Sequence, residues 1–542
     1  MVKFRKNIST FSLMMTGVTT IIGSGWLLGT QKIANMAGPA GVISWIVGAM
    51  VALLVGLLFV EMGSAYPSSG GIGYYTHVTH GRFCGFLTSW INWLSIVAVA
   101  PVEAQSVVQY LSQLSPFWNR LYDLPTHALT HEGIGFALLL MLVFTLINYW
   151  SVQFFIRFNN IFTVIKVIVP LLTIVALVYS GFHSENFTNV AQGGFMPFGL
   201  KSIFISVVTC GVVMSFNGFQ SPLTFSEEIA SPKTMLPIAV VGSILIALIL
   251  YVLLQIAFVG SLSPSLLAHG WGQVNLRSPY VELLLAANLQ VMVTIVYMGS
   301  VISPGVCGAA FIASSSRIMF SLSREKHLPQ FLSDVNPVFH NPRNAIVTCM
   351  VIGCAFLYLF RGWYQLVAVI SVIHLFSYLP APIVVMANRV KNKAMMLRKD
   401  QFILPWAHFL APLLLYVLSI LLFYAAWPLI PEMLFLIIPG LCFYAYYESK
   451  NRGAKNFFKT LKGASWLIGY LVGICVIVYF GNNPTYPQNL ISVPTSMVLL
   501  AVLALSVYFY GAFYAWDKEV FIPRHQSDSN DHAIGAEKES AP

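Results

Sequence analysis

Fourteen apolar runs, each about long enough to cross a bilayer, leave this chain little choice of fold. They lie at residues 11–35, 40–65, 83–114, 134–150, 155–180, 202–225, 236–262, 281–320, 345–360, 363–386, 403–426, 431–446, 466–481 and 493–516. About 20 apolar residues at helical rise cover the hydrocarbon layer. Lipid offers the backbone no hydrogen-bond partners, so a spanning segment must satisfy its own N–H and C=O groups, as a helix does. Only 9% of the 542 residues are charged, against about 25% in soluble domains. The pattern predicts an all-α integral membrane protein with about fourteen transmembrane helices. The eighth run exceeds one crossing, so part of it is expected outside the bilayer.

The basic residues test that count. With the N-terminus inside, 23 of the 29 Lys and Arg residues fall on inner segments. Only Arg120, Lys201, Arg277 and Arg361 fall on outer loops, and Lys32 and Lys166 stand within spans. An asymmetry this steep places both termini in the cytoplasm. It also explains the net charge of +10 as topology rather than nucleic-acid binding. The basic clusters at 389–399 and 450–462 are expected to be inner-leaflet contacts. Residues 1–10 resemble the charged start of a signal peptide. The run after them is too long for one and no small-residue cleavage site follows, so they read as a cytoplasmic lead into a retained helix. Residues 517–542 read as a polar, disordered tail, dispensable for transport. The seven cysteines show no CxxC pair and no metal spacing, so they read as small core residues.

Two spans carry interruptions. The first contains Thr20-Ile21-Ile22-Gly23-Ser24-Gly25-Trp26 at its middle. Gly loses the most backbone freedom on helix formation, so two of them around a Ser predict a helix that stops and restarts. A break offers free N–H groups at the start of its second half, which attract anions, and free C=O groups at the end of its first, which attract cations. A zwitterion needs both. Taken alone, Gly-x-Gly also suits close packing of two membrane helices. The sixth span contains Met214-Ser215-Phe216-Asn217-Gly218-Phe219-Gln220-Ser221-Pro222, where Pro222 has no N–H to donate. A proline kink is the plainer alternative there. Interruptions one and six spans along make spans one to five and six to ten candidate copies of one unit. Breaks at matching positions in two halves point to a transporter site at the bilayer midplane.

At this point a resemblance becomes specific. Phe216-x-Gly218-Phe219, then Glu227-Glu228, Pro232-Lys233 and Pro237, resembles the span-six signature of the amino acid–polyamine–organocation transporters. So do Gly23-Ser24-Gly25 with Ala37-Gly38-Pro39-Ala40, and Glu61 to Gly71 after span two. The likeness covers spans one to ten and weakens beyond them. It is greatest to the bacterial aspartate:proton symporter group. The resemblance implies a LeuT-like 5+5 inverted repeat with discontinuous helices 1 and 6. The ten-helix core would occupy residues 11–400, with repeats at about 11–181 and 200–390, and four peripheral helices at 401–516. It also implies a bacterial inner-membrane location. One departure stands out: the family usually has an acid after Gly-Phe in span six, and here it is Gln220.

Ionisable residues inside spans are functional candidates by default. Lys166 lies near the middle of span five, too far from Phe155 to snorkel inward. An amine removed from water gives up its proton more readily, so it can hold one conformation charged and release it neutral. The resemblance implies the same, since proton-coupled members carry a span-five Lys where sodium-coupled relatives bind the ion. Glu103, with Gln105 and Gln109 nearby on span three, is a second proton-coupling candidate or a structural anchor. Gln105 should point away from Glu103. Lys32 either attracts acidic substrates or snorkels to the outer interface, and His374 reads as a satisfied core histidine.

The expected function is secondary active import of an amino acid, acidic by resemblance, driven by protons. The substrate carboxylate would meet the N–H groups of Gly23, Ser24 and Gly25. Its ammonium would meet carbonyls near Thr20, Ile21, Met214 and Ser215, with Gly218 shaping the second break and Phe216 as an aromatic gate. An exchanger, or a nutrient sensor on the same fold, are the alternatives. No nucleophile–base or metal cluster points to an enzyme, no cofactor or nucleic acid is expected, and no phosphate-cradling Gly-x4-Gly-Lys-Ser/Thr run points to ATP drive. The expected partners are the amino acid, protons and the lipid bilayer.

Overall fold

The computed structural model describes residues 8–515 apart from positions 69, 151, 227, 340, 393–400, 426, 428, 453, 484–485 and 488–489. The tail at 517–542, residues 1–7, Glu227 and most of the 389–399 basic cluster lie outside the described residues. Ser9 opens the first helix by accepting a bond from the Ser12 N–H at 3.1 Å, satisfying one of the donors a helix start leaves free. Span one is then two helices, α1 (Thr10–Ile21) and α2 (Gly25–Ala37). Gly38, at φ +62°, ends α2 in a conformation that favours glycine. Span two is α3 (Gly41–Ala65), followed by a short helix, α4 (Gly71–His80). Span three is α5 (Arg82–Val97) with α6 (Val99–Leu111), four is α7 (His131–Trp150) and five is α8 (Val152–Ser180). Span six is α9 (Gly199–Thr209), α10 (Val212–Ser215) and α11 (Ser221–Thr224).

Span seven is α12 (Pro232–Ser261). The long eighth run divides as expected, into a short α13 (Pro279–Ala286) and a 35-residue α14 (Gln290–Arg324). Span nine is α15 (Arg343–Leu359), and span ten is α16 (Trp363–Tyr378) with α17 (Pro380–Lys391). The last four spans are α18 (Ala407–Phe423), α19 (Leu429–Arg452), α20 (Ala454–Phe480) and α21 (Val493–Phe513). Ten helical stretches are long and apolar enough to cross a membrane. One of them, Gly25–Ala65, holds half of span one and all of span two. Spans one, six, nine and eleven supply the rest, which gives fourteen among the described residues. The protein is an all-α integral membrane protein.

Span one packs on span six, span two on span seven and span three on span eight, the pairs that a five-helix repeat relates. Span ten is enclosed on all sides, while α7, α8, α19, α20 and α21 leave large apolar side chains such as Leu139, Ile161, Phe435, Val472 and Val502 exposed. Those side chains are suited to lipid.

One ion pair joins spans two and ten and holds the lead into span eleven. The Arg389 guanidinium donates to both Glu61 oxygens, Nε to Oε1 at 2.7 Å and Nη2 to Oε2 at 2.6 Å. Arg389 also donates to the Leu404 carbonyl at 2.7 Å, and Glu61 Oε2 accepts from the Leu404 N–H at 2.9 Å. Spans two and ten and the lead into span eleven thus meet at one clasp. This corrects the expectation for Arg389, which faces a buried carboxylate and not the inner leaflet. Removing one partner of such a pair strands the other charge, at about 3–5 kcal/mol. Arg389→Ala and Glu61→Ala are each expected to lower the melting temperature of the detergent-solubilised protein by several degrees, with the double variant losing less than the sum of the two. Additive losses would show that the clasp does not couple them.

Candidate functional site

Span one breaks over Ile22, Gly23 and Ser24. The Gly23 N–H turns back to the Ile21 carbonyl at 3.0 Å, and the helix restarts at Gly25. A break this deep in apolar surroundings frees carbonyls that need donors. Five consecutive carbonyls lie within reach of four side-chain donors from three other spans. Lys166 Nζ on span five donates to Thr19 O at 2.6 Å, and Cys307 Sγ on span eight to Thr20 O at 3.5 Å. The Tyr251 hydroxyl on span seven donates to Ile21 O at 3.0 Å. Ser303 Oγ on span eight lies 3.2 Å from Ile22 O and 3.0 Å from Gly23 O. Thr19 and Thr163 join their hydroxyls beside Lys166.

Span six breaks twice. Gly211, at φ +84°, ends α9, and Gly218, at φ +111°, sits in the turn between α10 and α11. Both need glycine on space as well as on conformation. A Cβ at Gly211 would lie 2.3 Å from Val367 Cγ1, and one at Gly218 would lie 2.6 Å from the Thr20 carbonyl carbon. Inside the turn, Gln220 donates to Asn217 Oδ1 at 2.7 Å and accepts from the Gly218 N–H at 3.2 Å. The amide uses both its ends here, and an acid in its ionised form has no proton to offer Asn217.

The two breaks face each other. Thr20 Oγ1 donates to Gly218 O at 3.0 Å, and the Tyr251 hydroxyl also lies 3.2 Å from Ser215 O. A Cβ at Gly25 would lie 2.1 Å from Ser215 Oγ. Phe216 packs edge-on against Trp45 and Tyr251, with ring centroids 6.2 and 5.5 Å away. Glu103 closes the third side. Its Oε1 is 2.3 Å from where a Gly23 Cβ would stand, and Ser24, Cys307 and the Lys166 charge all act on it. Neither carboxylate oxygen completes a hydrogen bond of good geometry. The carboxylate therefore stands at the start of α2, where the backbone attracts anions.

An interrupted pair of facing helices with backbone groups of both signs suits a small zwitterion. Residues 8–443 match the amino acid permease family. The chain belongs to that family. It is 38% identical over 541 residues to the glutamate/serine transporter AimA of Bacillus subtilis (strain 168), covering 99% of each chain. It is 30% identical over 517 residues to the aspartate-proton symporter of the same organism, covering 94% of this chain and 96% of the relative. The methylthioribose transporter of Bacillus subtilis is 27% identical over 357 residues, 64% of this chain and 73% of the relative. The protein is an amino acid transporter and not an enzyme.

In this permease the structure gathers Thr20, Ile21, Gly23, Ser24, Gly25, Met214, Ser215, Phe216 and Gly218 around the two breaks. The Met214 carbonyl is engaged within the turn, accepting from the Asn217 N–H at 2.9 Å. Lys166 and Glu103 lie beside the first break. Gln105 points elsewhere, to Phe360 O at 2.5 Å. His374 is buried with Nδ1 on Ile370 O at 2.9 Å, and its Nε2 has no hydrogen-bond partner, so it is half satisfied. Lys32 is turned over the Tyr364 ring, 5.1 Å from its centroid.

Tyr251, Ser303, Cys307 and Trp363 escaped the sequence reading. Trp363 Nε1 donates to Ser24 Oγ at 2.9 Å, across from the span-ten helix start. Only Ser303, followed by Pro304 and Gly305, carried a local signal. Gly25→Leu is expected to abolish uptake while the protein still reaches the membrane and elutes as a single species, because even its Cβ runs into Ser215 and pushes the two breaks apart. Normal uptake and affinity would make Gly25 a packing residue only.

Proposed function

We propose that this permease imports an acidic or small polar amino acid by proton symport across a bacterial plasma membrane, with both termini in the cytoplasm. The substrate lies between the two breaks, its carboxylate on those N–H groups at the start of α2 that the Ile21 carbonyl and Glu103 leave free, not on Gly23, whose N–H turns back to Ile21 O, and its ammonium near the carbonyls of Ile21 and Ser215. Spans one to five and six to ten form the two inverted halves that rock around it, and α18 to α21 support them from outside. The activities named for the two relatives covered over nearly their full length, glutamate/serine transport and aspartate-proton symport, support the substrate class. The distribution of Lys and Arg supports the orientation.

The observation that carries proton coupling is the Lys166 amine on the Thr19 carbonyl, 2.6 Å away, with the Glu103 carboxylate across the same break. Charged Lys166 holds the end of α1 in place. Neutral Lys166 releases it, so protonation and the shape of the substrate site change together. Lys166→Ala and Lys166→Arg are both expected to lose accumulation driven by an acid-outside gradient in proteoliposomes. The alanine variant keeps slow counterflow, since substrate binding uses backbone groups elsewhere. Arginine fares worse, as it stays charged throughout. Full gradient-driven accumulation by Lys166→Ala would remove Lys166 from the coupling mechanism. Counterflow without any response to a pH gradient in the wild type would favour the exchanger.

Phe216 closes over the bound substrate in this scheme. Phe216→Ala is expected to raise KM and speed substrate efflux in counterflow, with the protein still folded. Unchanged KM and efflux would leave the ring as core packing between spans two and seven.

A further inference from the structure

We infer that Lys32 is the residue that recognises the side-chain carboxylate of an acidic substrate, which rests on the substrate site proposed above. Lys32 follows Gly25 by seven residues on α2, two turns along the same helix face. Gly25 on that face abuts Ser215 of span six, and Cys210 of span six reaches the α2 backbone at the Lys32 carbonyl, 3.5 Å away. The Lys32 side chain itself reaches Tyr364 of span ten. The Lys32 amine lies over the Tyr364 ring, the neighbour of Trp363, which bonds Ser24 at the first break.

Lys32 is half-buried, and among the described residues it forms no ion pair. Its contact is the face of Tyr364, 5.1 Å from the centroid. Tyr364 in turn meets Trp363 with ring centroids 5.2 Å apart, and Trp363 donates to Ser24 at the first break. A cation–π contact is weaker than a charge-assisted hydrogen bond to a carboxylate. Tyr364 thus parks the amine beside the substrate site and yields it when a second carboxylate arrives. A neutral substrate leaves the amine on the ring.

The test measures initial uptake of L-glutamate, L-aspartate and L-serine in proteoliposomes for the wild type, Lys32→Gln and Lys32→Arg. Lys32→Gln is expected to raise KM for the two acids by about tenfold to a hundredfold, the range of a lost charged hydrogen bond. Its kcat for them and its serine KM should change less than about twofold. Lys32→Arg should recover most of the acid affinity, because it keeps the positive charge. Equal losses for acids and serine, or a fall in kcat without a change in KM, would make Lys32 structural and overturn the inference. Unchanged acid KM in Lys32→Gln would overturn it too, while leaving the acidic-substrate proposal standing. A wild type that takes up serine but neither acid would overturn both.

Discussion

Backbone polarity inside an apolar medium is the constraint on which this structure depends. A continuous helix satisfies itself in lipid, but a broken one leaves carbonyls that must find donors within the protein. Here the carbonyls of Thr19 through Gly23 are met by Lys166, Cys307, Tyr251 and Ser303. Those donors sit on spans five, seven and eight. The break therefore dictates which helices surround span one and at what register. It also makes those helices sensors of its shape, because any movement of the break changes these bonds.

Buried charge separates two kinds of site in this molecule. Glu61 and Arg389 are saturated: the carboxylate takes three bonds and the guanidinium gives three. Such a pair acts as a fixed joint between spans two and ten and the lead into span eleven. Glu103 is the opposite, buried beside the break with no well-formed bond to either oxygen. Lys166 has a single short bond to a carbonyl. An under-satisfied polar group is costly in a low-dielectric interior, and it is retained most readily where a ligand or a proton completes it part of the time.

Much of the architecture was legible because lipid imposes one rule on every span. Runs of apolar residues located all fourteen, and Gly23-Ser24-Gly25 located the first break, since glycine twice over is a poor helix interior. The second break was legible in outline only. Its turn was marked by Asn217, Gly218 and Pro222, but the left-handed backbone at Gly211 sits in a run that otherwise reads as plain helix. Tyr251, Cys307 and Trp363 left no local trace, because a donor aimed at a distant carbonyl looks like any other polar residue in a helix. Arg389 was misread for a related reason. A basic residue near a helix end ordinarily marks an inner interface, and its carboxylate partner is 328 residues earlier in the chain.

Tyr251 shows why the break carbonyls remain available although each has a partner. Its hydroxyl lies 3.0 Å from Ile21 O and 3.2 Å from Ser215 O, yet a phenol has one proton to give. At any moment one of the two carbonyls faces an oxygen lone pair with no hydrogen between them. Ile21 O also takes the Gly23 N–H, so the phenol can fill its second lone pair, while Ser215 O keeps at least one lone pair free. The tyrosine thus fixes the two carbonyls, one from each broken span, on either side of a single point while leaving acceptor capacity at whichever one it does not serve. Positioned carbonyls need no reorganisation when a cation arrives, and avoiding that reorganisation is where a pre-formed site gains affinity. An ammonium with three protons can supply the donors that one phenol cannot, so a substrate amine placed there joins the two halves of the protein through their breaks.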